Sequence, residues 1–518
     1  MASPSEKLAA SLQALKGLQD RGIVAVRSSD LSRTHRERLI ENRFLQEVMK
    51  GWYISARPDG QAGESTAWYA SFWDFCAAYL NERFGTEWSL SPEQSLMLHA
   101  GNFNVPKQLL VRTPKGGNKP TSLPHGTSLF DVRASLPEPG EREELRGLRV
   151  FSLPAALVRS GPGLFAGSTT EARTALAMIR DASDVLAILL EGGHTVIAGR
   201  LAGAFRNIGR KNIADRIVND MGKATYKVRE TDPFAMPAPF ALGTREASPY
   251  VTRLRLMWHT MRADIPMLFP AAPTGAVDSD GYMKRVEEVY VTDAYHSLSI
   301  EGYRVSGALI ERVRSGAWNP DSIKEDQEHR DALAARGYYE AFQAVKQSIE
   351  KVLKHENAGA VAGVDHAEWY AQLFGPSVTA GILRPGDLAG YRNGPVYIRN
   401  SLHAPPSREA VRDMMPVLFE LMAEEADPSV RVVLGHFIFV YIHPYFDGNG
   451  RIGRFLMNVM LAAGGYPWTV IPVERRADYM AALEAASVEG NIKPFASFLS
   501  EIVKDNIDGK PGPKVPKS

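Results

Sequence analysis

The sequence predicts a multidomain protein. Its C-terminal half is mainly α-helical with a β-hairpin flap, preceded by a small module of short helices and strands and by an α+β domain. Three observations predict this. At 518 residues the chain has room for about three domains, each able to bury its own core. The pattern changes character near residue 59 and again beyond the Pro-rich stretch Asp232–Pro239, which reads as a linker. Finally, a polar, glycine-rich loop from His443 to Arg454 lies between two apolar runs, Phe437–Ile442 and Phe455–Leu461, and so is pinned between two buried helices.

In order along the chain, residues 1 to about 58 form the small module. Leu8, Leu12, Leu15 and Leu18 recur at helical spacing, Gly22 ends that helix, and Ile23, Val24 and Val26 follow as an extended piece. A second helix is expected from Ser28 or Ser29 and a third from Thr34 to Asn42. Phe44 to Ile54, turning at Gly51, reads as a β-wing. This order resembles the winged helix-turn-helix of abortive-infection-type antitoxins and related bacterial regulators. The resemblance implies that Arg33, Arg36 and Arg38, with His35, Arg43 and Lys50 nearby, contact DNA phosphates. Winged helices also serve in protein packing alone, and both uses stay open.

Residues 59–240 read as α+β. Trp68–Phe84 is an aromatic-rich helix, Gln108–Val111 and Ser128–Val132 are strands, and residues 114–124 are a loop. Helical patterns return at Thr170–Leu190 and Gly199–Met221, the second carrying Arg200, Arg206, Arg210, Lys211 and Arg216 as a solvated basic face. A helical region spans 241–370 with a hinge near Pro270–Gly281, a catalytic core spans 371–505, and residues 506–518, rich in Gly, Pro and Lys, form a disordered tail.

Composition bounds the partners. Sixty Lys and Arg against 59 Asp and Glu give a formal net charge of +1, which excludes a globally basic nucleic-acid coat but leaves room for a local patch. The single cysteine, Cys76, excludes an intramolecular disulfide and a cysteine zinc cage; its aromatic neighbours predict a buried thiol. No apolar stretch of about 18 residues is present, so no membrane contact and a cytoplasmic location are expected.

The loop carries the chemistry. Gly448, Asn449 and Gly450 can turn several backbone N–H groups into one concavity, and the following helix adds its positive N-terminal end, which makes an anion nest. Arg451 and Arg454 lie three apart at the start of that helix and can reach the same phosphates. Asp447 is a hard oxygen ligand suited to a Mg²⁺ that bridges phosphates. His443, at the end of the preceding helix, can take a proton near neutral pH.

The stretch HPYFDGNGRIGR resembles the signature of the Fic family, departing only at Tyr445, where the family most often has Phe. The resemblance covers roughly residues 280–505 and is silent on the first 240. It implies a protein adenylyltransferase that moves AMP from ATP onto a hydroxyl of a target protein or of itself. In that scheme His443 is the general base, Asp447 the Mg²⁺ ligand, Asn449 and the nest the α-phosphate site, and Arg451 and Arg454 the outer phosphate ligands. It also implies that Val396, Tyr397 and Ile398 form a hairpin strand that aligns the target segment.

Ser297 and Glu301, with Gly302, match the family's inhibitory pattern, so the resemblance implies that Glu301 pairs with Arg454 and holds the enzyme off. Removal of AMP by the same site is the near alternative. A DNA-binding, antitoxin-like regulator with the Fic body as nucleotide sensor is the distant one. Homodimerisation is compatible with either.

Overall fold

In the computed structural model, residues 3–56, 65–242, 248–273, 278–317 and 329–516 are described. The chain divides into two compact units. Residues 1–253 and 397–404 make the first, and residues 254–396 and 405–518 the second. The expected join at residues 58–59 lies outside the described residues, as does part of the expected hinge at 270–281.

The first unit begins with α1 (Pro4–Gln19), β1 (Ala25–Arg27), α2 (Arg33–Glu41), β2 (Leu45–Met49) and β3 (Trp52–Ser55). The three strands form an antiparallel sheet in the order β1-β3-β2. Strand alternation sends its side chains to two cores. Val26 and Tyr53 pack with Leu15, Leu18 and Leu39 of the first two helices. Ala25, Trp52 and Ile54 pack instead with Trp68, Phe72 and Phe75 of α3 (Thr66–Phe84), so the small module and the α+β region share a core.

The helix expected from Ser28 or Ser29 is absent. Asp30 accepts from the Arg27 N–H, and the Ser28 N–H donates to the Gly51 carbonyl, so those residues form a turn before Ser32 caps α2.

After α3 come β4 (Ser89–Leu90), α4 (Pro92–His99), β5 (Gln108–Thr113), β6 (Pro120–Ser122) and β7 (Ser128–Arg133). Their sheet runs β4-β5-β7-β6 with β5 and β7 parallel, and the stretch expected to be only a loop supplies the edge strand β6. A hairpin of β8 (Arg142–Leu145) and β9 (Leu148–Phe151) leads into α5 (Leu153–Arg159), α6 (Pro162–Gly167), α7 (Thr169–Met178), α8 (Ser183–Glu191), α9 (Thr195–Asn207) and α10 (Lys211–Lys223).

Both long helical patterns are thus broken in two, the second at Gly209, whose φ of +85° stops the helix. Cys76 is fully buried, and burial pushes its thiol far above the usual range. Helix α11 (Pro249–Met261) contains the unit boundary at Arg253–Leu254, beyond the stretch Asp232–Pro239 expected as the linker.

The second unit is helical: α12 (Ser279–Ile300), α13 (Gly307–Arg314), α14 (His329–Leu353), α15 (Ala358–Thr379), α16 (Arg408–Glu424), α17 (Pro428–Ile442), α18 (Asn449–Ala463), α19 (Arg476–Val488) and α20 (Lys493–Ile507). Its centre is α17, buried on almost every face. The expected tail starts two residues late, because α20 runs to Ile507. Among the described residues no helix is long and apolar enough to cross a membrane.

Candidate active site

The site is built where α17 ends, α18 begins and α12 comes to its last turn. Asp427 caps α17 through the N–H groups of Ser429 and Val430, and the helix terminates on His443 in the left-handed region (φ 52°, ψ 61°). A non-glycine residue held there costs about 1–2 kcal/mol, so its surroundings must impose it. His443 N–H donates to the Phe439 carbonyl, and its own carbonyl accepts from Arg392 Nε at 2.7 Å.

The Nδ1 of His443 lies 3.1 Å from the Val440 carbonyl, which can only accept. The ring proton therefore sits on Nδ1, and Nε2 keeps its lone pair. Burial and then the Arg392 charge push the imidazole down to about 4, against the opposing pull of the Val440 carbonyl, Glu301 and Asp447. The ring is thus neutral at pH 7 and competent as a base.

Between the helices, Tyr445 anchors the loop by stacking on Tyr370, with ring centres 3.7 Å apart and planes 5° apart. The Asn449 side chain accepts from the Tyr445 N–H and donates to the Tyr445 carbonyl, each at 2.9 Å. Its amide is spent bracing the loop, so only its backbone N–H remains for the expected phosphate contact. Gly448 caps α18 at φ 82°. Because the first intrahelical bond runs from Ile452 to Gly448, the N–H groups of Asn449, Gly450 and Arg451 have no acceptor within the helix and form the nest.

Asp447 points outward, 59% exposed, with Oδ1 accepting from the Gly448 N–H at 2.6 Å and from Arg451 Nη2 at 3.2 Å. No cluster of three or more candidate metal-ligating side chains occurs among the described residues. A Mg²⁺ that arrives with a nucleotide needs only one or two protein carboxylates beside the phosphate oxygens, so an exposed Asp447 at the mouth of the nest fits that demand.

The two arginines are buried, Arg451 1% and Arg454 3% exposed. Arg451 lies over the rings of Tyr303 and Phe374, each 5.1 Å from the guanidinium carbon, and its Nε has no partner. Arg454 donates from Nε to Ser297 Oγ at 2.8 Å, and from Nη2 to the Ser297 carbonyl at 3.0 Å and to Glu301 Oε1 at 2.7 Å. Burial opposes its charge, but Glu301 and nearby tyrosines hold its pKa above the usual value.

The Glu301 carboxylate lies so close to Gly450 that a Cβ there would stand 2.2 Å from Oε1, so it sits against the first turn of α18 and a side chain at 450 would have to displace it. Its position is fixed by the end of α12. Gly302 (φ 87°) turns the chain, and the Tyr303 N–H closes back on the Leu298 carbonyl. About two turns before Glu301, the buried Asp293 accepts from the Tyr338 hydroxyl at 2.6 Å, and burial raises its carboxyl to about 6.

The expected flap is corrected. Residues 391–406 contain no strand, so Val396, Tyr397 and Ile398 do not belong to a hairpin. Asn400 takes φ 57°, and Pro405 and Pro406 have no N–H to give a ladder, so three alternating residues are too few. Tyr397–Ala404 instead belongs to the first unit. There Val105 N–H donates to the Leu402 carbonyl at 2.9 Å, Asn104 Oδ1 meets the Ala404 N–H and His403 Nδ1, and the Ser65 hydroxyl donates to Asn400 Oδ1 at 3.2 Å.

Among the expected DNA contacts, Arg38 donates to the Lys7 carbonyl and Ser11 Oγ, Arg36 to the Ser28 carbonyl, and Arg33 to Glu37. In the expected basic face, Arg206 pairs with Glu230 and Asp215, and Arg216 with Asp181. Arg210 is buried and donates to the carbonyls of Ala177 and Arg180, so it is not part of a solvated face. Sequence reasoning gave no role to Tyr303, Phe374, Tyr370 or Arg392. Their meeting at the loop depends on packing between distant elements.

Residues 366–461 match the model of the Fic/DOC family. Two similar curated proteins are the Protein adenylyltransferase Fic of Drosophila melanogaster, 27% identical over 241 residues (45% of this chain, 44% of that one), and its namesake in Drosophila virilis, 30% identical over 229 residues (43% of each). The chain therefore spans less than half the length of the curated relatives it matches. A fragment of Fic-1 from C. elegans aligns with 67% of this chain and 96% of its own at 20% identity and a TM-score of 0.37. With the signature loop inside the matched span and its histidine, nest and arginines assembled as described, the chain carries a domain of the Fic/DOC family.

Proposed function

We propose that this chain is a Mg²⁺-dependent protein adenylyltransferase held in check by Glu301. One observation carries the reading: Arg454 Nη2 and Glu301 Oε1 lie 2.7 Å apart, with the carboxylate seated against Gly450 where a phosphate would bind. In the transfer, Nε2 of His443 takes the proton of an acceptor hydroxyl while that oxygen bonds to the α-phosphorus of ATP. The bond from the α-phosphorus to the bridging oxygen breaks while the nest holds the α-phosphate, and pyrophosphate leaves on the two guanidiniums. A Mg²⁺ held by Asp447 would supply charge neutralisation to the phosphates. None of this proceeds while Glu301 holds Arg454, so the resting chain is off.

The test is the intact mass of the full-length Glu301→Gly protein after incubation with each of the four nucleoside triphosphates. We expect a gain of one or more AMP groups with ATP, and a far smaller labelled fraction in the wild type. No gain with any of the four would leave the domain as a nucleotide sensor, and a gain with a different triphosphate would reassign the donor.

A further inference from the structure

Arg392 is 2% exposed, yet it belongs to no helix or strand. Its guanidinium is satisfied by backbone carbonyls. Nε donates to His443 at 2.7 Å, Nη1 to Gly394 at 2.9 Å, and Nη2 to Pro406 and, at 3.5 Å, to Ile442. Its own N–H adds a bond to the Pro444 carbonyl at 2.9 Å.

Gly394 and Pro406 are the two feet of the excursion whose middle, residues 397–404, belongs to the first unit. The other acceptors are the last carbonyls of α17 and of the left-handed residue that ends it, where a buried cation is also favoured by the helix dipole. Only a planar fork of five donors spans these acceptors together, and a lysine ammonium does not.

We propose that Arg392 is a positioning residue for the transfer: one buried guanidinium fixes both feet of the 394–406 excursion and the backbone of the catalytic histidine in a single frame. It touches neither nucleotide nor acceptor. It acts by holding the His443 backbone in its left-handed conformation, which aims Nε2, and by tying Gly394 and Pro406 to the same frame. The inference rests on the transfer reading given above. The charged groups that act on the His443 ring are Arg392 from the excursion, Glu301 from the end of α12 and Asp447 from its own loop.

Two variants in the full-length Glu301→Gly chain separate charge from geometry. Arg392→Lys keeps the charge and loses the fork; Arg392→Met loses both. For Arg392→Lys the maximal self-labelling rate falls about ten- to a hundredfold, the cost of an ångström-scale misplacement, while half-saturating ATP stays within about twofold and the His443 titration is unmoved. For Arg392→Met the rate falls as far, and the His443 ring, followed by its NMR titration, moves up towards the ordinary imidazole range. A merely structural role would lower the melting temperature without this split.

A labelling rate for Arg392→Lys within about twofold of its parent overturns the inference, as does an unmoved titration in a folded Arg392→Met. If Arg392→Met fails to fold, the Arg392→Lys rate decides. If the parent chain labels with no nucleotide, the transfer reading falls, and the imidazole titration still judges Arg392.

Discussion

The arginines of α2 and those of α18 start from the same chemistry and meet opposite fates. In α2, Arg36 and Arg38 spend their donors on the Ser28 and Lys7 carbonyls and on Ser11 Oγ, tying the helix to its neighbours. In α18, Arg451 and Arg454 are nearly inaccessible, yet each keeps a buried donor without a partner, Nε of the first and Nη1 of the second. An unpaired buried donor costs about 1–3 kcal/mol; Arg112, Arg173 and Arg200 of the first unit each carry an unpaired Nε as well, so what sets the α18 pair apart is its place beside the glycine turn that starts the helix. Exposure and sequence spacing would have ranked the two sets the other way round.

The largest test of this contrast is His443→Ala in the Glu301→Gly background. With the ring gone, the orphaned donors still bind phosphate but nothing takes the acceptor proton, so self-labelling falls about 10²- to 10⁴-fold while half-saturating ATP barely changes. Radiolabel incorporation against ATP concentration reads both quantities. Next in size is Glu301→Gly itself. The charge-assisted bond to Arg454 is worth about 1.5–3 kcal/mol, so labelling should rise about ten- to a hundredfold. Equal and weak labelling of variant and wild type would break the assignment of Glu301 as the group that holds Arg454 off.

A pH profile sharpens the comparison at the histidine. Its pKa is depressed to about 4, so the base form persists from neutrality downward, and the second-order labelling rate should decline only as pH falls through about 4. Removing Glu301, which pulls that value upward, moves the limb lower still in the activated variant. A limb at the ordinary imidazole value of 6.5 would mean that the ring is more hydrated than its packing indicates.

The smallest expected effect is at the other set of arginines. Arg38→Ala should destabilise the chain by about 1 kcal/mol, read as a lower urea midpoint, with no change in the salt dependence of any DNA binding. A salt slope reduced by about one for this variant would restore Arg38 as a phosphate contact and erase the contrast.

How far the sequence could be read follows the range of the interactions. His443 to Arg454 is one contiguous stretch, and its helix end, glycine turn and helix start were legible from spacing alone. The pairing of Glu301 with Arg454 was expected only through a match to a family pattern. Asn449 was not, because whether its amide faces a phosphate or its own loop depends on how Tyr445 is anchored on Tyr370. The flap failed for a related reason: alternation at 396–398 describes a strand only if a partner strand exists, and the first unit supplies Asn104, Val105 and Ser65 as partners of another kind.

By itself the sequence determined the helical body around α17, the three short strands of the first module, the buried thiol and the helix–turn–helix form of the loop. All of these depend on periodicity or on neighbours within a few residues. Tertiary structure alone decided which arginines are spent and which are kept, that Glu301 fills the space above Gly450, that Tyr303 and Phe374 enclose Arg451, and that Arg392 binds the catalytic backbone from 51 residues away. Each of those outcomes is a competition between distant partners for the same donors, and such a competition is settled only when the chain has packed.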